Sequence, residues 1–155
     1  MSKNELTTFI NENKESDDFT GGVDERQITF IQNELGVELP KSYLWFLSNY
    51  GSGGIFGVNI SGVAKSNIAS VISETEGFRK LGLYESLVVI ENCGEYAYCL
   101  YTGKMVGNEC PVIAWDRQMG IDEVIEAKNF YEFLLNRLMG AKEAWEEDFQ
   151  LKARR

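Results

Sequence analysis

The 155-residue sequence contains no histidine. That removes the commonest general base and the commonest metal ligand. A Ser-His-Asp or Cys-His catalytic site is excluded, and so is a His-ligated zinc. Cysteine is scarce: Cys93, Cys99 and Cys110 are an odd number at spacings that match no zinc or redox motif. They read as small core residues of a protein kept in a reducing compartment. Positive charge is also short, with 15 basic against 24 acidic residues and a net charge of −9. An acidic body repels phosphate backbones and anionic lipid, so nucleic acid and membrane are poor ligands and a basic partner is favoured. The same charge also serves plain solubility. No apolar run reaches the roughly 18 residues of a membrane span. The polar start, Met1-Ser2-Lys3-Asn4-Glu5, lacks the apolar core of a secretory signal, and a cytoplasmic location is expected.

What is present is enough for a core. The hydrophobic share of 44% and the aromatic share of 12% are those of a folded globule, and the length suits one domain. Leu6, Phe9 and Ile10 predict a short first helix. Asp24 caps a second, with Ile28, Ile31 and Leu35 on one face and Gly36 as its stop. Pro40 opens a third through Tyr43, Phe46 and Leu47, ended by Gly51. The stretch Gly53 to Ile60 looks like a glycine-rich entry into a strand, and Ser66 is placed to cap a fourth helix carrying Ile68, Val71, Ile72, Thr75 and Phe78. Strands are predicted at 87–90, 96–101 and 111–115, the first two as a hairpin around Gly94. A last helix starts near Asn129 and runs along Phe130, Phe133, Leu134, Arg137, Leu138, Ala141 and Trp145. Its acidic end, Glu143, Glu146, Glu147 and Asp148, opposes the helix dipole. The expectation is one α+β domain over residues 1–155, with a mixed, mainly antiparallel sheet flanked by helices, a core at about 24–149 and a flexible tail at 150–155.

Few segments invite chemistry. The run Tyr50-Gly51-Ser52-Gly53-Gly54-Ile55-Phe56-Gly57 lacks the Gly-Lys-Ser/Thr ending of a phosphate loop and follows a helix, so it reads as a helix stop and a turn. Glu91 and Glu95 are placed to face each other across the hairpin, and Asp122-Glu123 sits in a predicted loop; solvated carboxylates are the ordinary reading of all four. Tyr96 and Tyr98 share one strand face with Leu100, where tyrosine supplies either packing or an anchor for a partner. No cofactor, metal or catalytic residue is assigned. The candidate partner-binding set is Glu91, Glu95, Tyr98, Asp116, Asp122 and Glu123.

Several segments in order carry a family resemblance. They are Asn33-Glu34-Leu35-Gly36, Leu39-Pro40 with Ser42-Tyr43 and Phe46-Leu47, Tyr50-Gly51 with Gly53-Gly54, and Val88-Val89-Ile90-Glu91. Tyr96 to Leu100 and Cys110-Pro111-Val112 with Trp115-Asp116 complete the set. Together they resemble the SUKH superfamily of Smi/Knr-like domains over about residues 24–145, most nearly its YobK-like members. The resemblance implies a mixed sheet flanked by helices and a binding scaffold without catalytic residues. For bacterial members it implies immunity: neutralising a cognate polymorphic toxin domain, of the LXG type and often a nuclease, inside the producing cell. A regulatory interaction module without a toxin is the alternative that eukaryotic members suggest.

Overall fold

A computed structural model describes residues 2–64 and 66–153, with the side chains of Ser2, Asp122 and Glu123 outside the description. Three helices come first: α1 (Ser2–Asn13), α2 (Glu25–Leu35) and α3 (Lys41–Asn49). The start of α2 is set locally, since the Asp24 carboxylate accepts from the Gln27 N–H at 3.1 Å while the Gln27 side chain reaches back to the Asp24 N–H. Gly36 ends it in the left-handed conformation, φ 69°. The first turn of α3 is completed from far away. Pro40 precedes it, and the Glu109 carboxylate accepts from the Ser42 N–H at 3.1 Å and the Ser42 hydroxyl at 2.5 Å. This explains Glu109 beside the buried Cys110: it caps a helix 67 residues upstream.

The predicted strand after α3 does not form. Residues 51–62 are a loop in which Gly53 makes only isolated bridges, to Phe19 and Ile60. Gly53 sits at φ +108°, and a Cβ there would lie 2.2 Å from the Asp18 carbonyl oxygen, so close backbone packing fixes the glycine. α4 (Ser70–Arg79) starts later than Ser66 suggests. Asn67 takes a left-handed φ of 67°, which breaks the helix there and leaves Ile68 69% exposed. The Ser70 hydroxyl instead accepts from the Gly62 N–H at 3.0 Å.

The sheet is an antiparallel meander, β1 (Leu87–Asn92), β2 (Tyr96–Tyr101), β3 (Val112–Asp116) and β4 (Gly120–Ala127), in that spatial order. All three pairings within this sheet are antiparallel, the direction expected to predominate. β4 falls where the sequence reading has a loop. Its pairing with β3 shifts register twice, so the apolar alternation that marks a strand is blurred. Period-two alternation sorts the other strands onto two faces. Val88, Leu100 and Val112 join the main core with Tyr43, Phe46, Phe130 and Leu134, while Leu87, Val89, Ala97, Cys99, Ile113 and Trp115 form a smaller core with Phe78 and Leu83. The last helix, α5 (Phe130–Ala153), is capped by the Asn129 side chain on the Glu132 N–H at 3.0 Å and continues into the stretch read as tail.

Candidate functional site

β2 and β3 place side chains in register at one end of the sheet, with Tyr96 opposite Asp116 and Tyr98 opposite Ala114. With Glu126 of β4 they line a shallow furrow of about 270 Å³. The two tyrosine rings meet edge-on at 5.5 Å, and Tyr98 leans on Phe133 of α5 at 5.0 Å. Hydrogen bonding with the Cys93 thiol is the main cause that pushes the Tyr96 hydroxyl up to about 12. Burial raises the Cys93 and Tyr98 groups as well, so all three are neutral near pH 7.

Glu91 departs from its expected place. It is 5% exposed, and the register sets it opposite Tyr98, not facing Glu95. Arg137 of α5 grips it in a two-pronged pair: Nε donates to Oε1 at 2.8 Å and Nη2 donates to Oε2. That hydrogen bonding raises the Arg137 pKa further, and the guanidinium lies 5.5 Å from the Tyr98 ring centre. Glu91 therefore ties the sheet to α5 and is no open contact for a partner. The expected pairing across the hairpin fails because β1 runs on to Asn92, and the β-bulge between Val89 and Glu91 sets Glu91 opposite Tyr98.

The other candidates separate. Glu95 is exposed at the hairpin, where its carbonyl accepts from the Arg117 N–H at 3.0 Å. Asp116 is half-buried and shapes the β3–β4 turn, its Oδ1 accepting from the Gln118 and Met119 N–H groups at 2.8 and 3.0 Å. Tyr98 is half-buried and shares the furrow with Asp116. Asp122 and Glu123 belong to β4, not to a loop, and their side chains lie outside the described residues. The sequence reading missed Glu126 and the role of Arg137. Glu126 would have needed β4 to be recognised; Arg137, a lone basic residue on an otherwise apolar helical stripe, was the available signal of a buried partner.

Chemically the furrow offers aromatic surface and carboxylates. Such a surface recognises a cationic or planar group. Among the described residues no helix is long and apolar enough to cross a membrane.

An antiparallel meander held between helices defines an α+β domain of SUKH type. The chain belongs to this family: the model SUKH_5, described as SMI1-KNR4 cell-wall, matches residues 6–139. The family is known for immunity and binding proteins and not typically for enzymes. The crystal structure of a protein from Pseudomonas syringae pv. tomato is similar, with a TM-score of 0.67 at 17% identity over 84% of this chain and 93% of that one. At that identity the likeness concerns the fold alone.

Proposed function

We propose that the chain is an immunity protein that binds and neutralises a cognate polymorphic toxin domain of the LXG type, a nuclease, in the cytoplasm of the producing cell. The observation that carries the reading is the furrow: tyrosines 96 and 98 flanked by Asp116 and Glu126, on a family scaffold that carries −9 overall. A nuclease grips phosphates with basic side chains. An acidic, aromatic surface complements such a site, speeds encounter and occludes it. Glu95 at the hairpin and Asp122 and Glu123 of β4 are further contacts in this proposal.

Co-expression with an LXG-type toxin domain tests the reading by growth rescue and co-purification. Rescue should weaken in the charge-reversed pair Glu95→Lys and Glu126→Lys. The association rate should fall roughly tenfold or more between low and high salt. Cells dying equally fast with and without the protein would end the toxin reading, and a salt-independent rate would end the electrostatic part of it.

A further inference from the structure

The end of α1, the Ile55-Phe56-Gly57 turn and the second half of α5 enclose a groove apart from the furrow. Two adjoining hollows, of about 490 and 320 Å³, share Phe56 and Trp145 in their walls. The Phe56 and Trp145 rings lie 6.4 Å apart, Phe9 stands edge-on to Phe56 at 6.5 Å, and Phe149 follows Trp145 by one helical turn. Trp145 is 60% exposed and Phe149 69%. Two neighbouring open aromatics beside a hollow mark a surface that something covers.

The turn that presents Phe56 is rigidly placed. Phe56 holds φ 55°, an uncommon value for an aromatic residue. A Cβ on Gly54 would lie 2.0 Å from the Val58 carbonyl oxygen, so the backbone closes tightly beneath it. Around the groove stand Glu12, Glu15, Asp18 and Glu146. Among the described lining residues the single cation is Lys142, which is already 3.7 Å from Glu146 and 5.7 Å from the Phe9 ring centre.

The acidic end of α5 does little for the fold. Its carboxylates stand before the last turn, which carries Lys152, so the helix dipole gives no reason for them, and the exposed pairs Lys142–Glu146 and Lys152–Asp148 contribute little. Trp145, Glu146 and Phe149 also lie beyond residue 139, where the match to the family ends.

We propose that this groove docks a basic amphipathic segment of a partner protein. Apolar residues at helical spacing seat against Phe56, Trp145 and Phe149, and lysine or arginine residues reach the acidic rim. A second copy of this acidic chain would bring like charge to like charge, which disfavours it as the occupant. The proposal stands apart from the toxin reading, because it requires only a segment of this chemistry.

A synthetic helical peptide with leucine at i, i+3 and i+4 spacing and lysine elsewhere is the probe, and its counterpart with glutamate for lysine is the control. Trp145 reports binding, since Trp115 is buried and Trp45 half-buried; subtracting the Trp145→Phe spectrum isolates its emission. The lysine peptide should shift that emission to the blue in a saturable way. Its affinity, read by isothermal titration calorimetry so that variants with and without Trp145 are compared alike, should fall about tenfold or more in Trp145→Ala/Phe149→Ala, and likewise in Glu12→Lys/Glu146→Lys, with far-UV circular dichroism unchanged because all four positions are exposed. The proposal fails if both double variants bind as well as the parent, if the glutamate peptide binds equally, or if no saturable shift occurs. A blue shift that grows with protein concentration alone would name a second copy as the occupant and overturn it too.

Discussion

Replacing Arg137 with alanine strands the Glu91 carboxylate, 5% exposed, beneath α5 without its two donors. Removing one member of a buried pair costs about 3–5 kcal/mol, most of it the penalty of an uncompensated charge. The Arg137 side chain is 30% exposed, so water reaches part of the site and the lower end, about 3 kcal/mol, applies. With a urea m-value of about 2 kcal/mol/M for a domain of this size, the unfolding midpoint should fall by about 1.5 M. Arg137→Lys keeps the charge but loses the fork, and should fall between parent and alanine variant. The double replacement Glu91→Leu/Arg137→Met removes both charges and should recover most of the loss. Equilibrium urea unfolding followed by circular dichroism measures all three. A midpoint shift under about 0.3 M for Arg137→Ala, or a double variant no more stable than the single one, would refute the buried-pair account.

Two glycines should behave differently on substitution by alanine. Gly62→Ala drives a Cβ to 1.9 Å from the Gly51 carbonyl oxygen and should cost about 3 kcal/mol or more, whereas Gly57→Ala meets no atom within 4 Å and costs only its φ of +85°, about 1 kcal/mol; thermal melts separate them. Removing the distant cap by Glu109→Ala should cost about 1 kcal/mol in the same assay. Burial pushes the Cys110 thiol up to about 12 and the Cys99 thiol higher, so a thiol reagent at pH 8 should label Cys93 slowly and the other two only after unfolding. These thiols and the buried Tyr43 hydroxyl keep their protons in the fold, while the unfolded chain begins to release them near the ordinary thiol value of 9.0. Stability should therefore be whole below that pH and decline as pH rises above it, which urea melts at pH 7 and pH 10 would compare.

Local signals translated well from sequence to structure. Asp24, Gln27 and Gly36 bound α2 by short-range hydrogen bonds and backbone preference, and Gly94 turns the first hairpin. What escaped reading depends on contacts distant in sequence. β4 is recognisable only by its shifted pairing with β3, and without it Glu126 could not be placed beside Tyr98. Glu91 looked like a surface charge because nothing near it in sequence foretells Arg137, 46 residues away. The loop at 51–62 has the glycine content of a turn and the apolar residues of a strand; packing against Asp18 and Phe19 settles between them.

The two halves of α5 answer to different neighbours. Near its start the helix is bolted to the sheet through Phe133 and Arg137; about 12 to 18 Å farther along, Trp145 and Phe149 stand out beside α1 and the Phe56 turn. A lineage could thus rewrite the outer half residue by residue, gaining or losing a binding preference, while the frame that folds the molecule stays untouched.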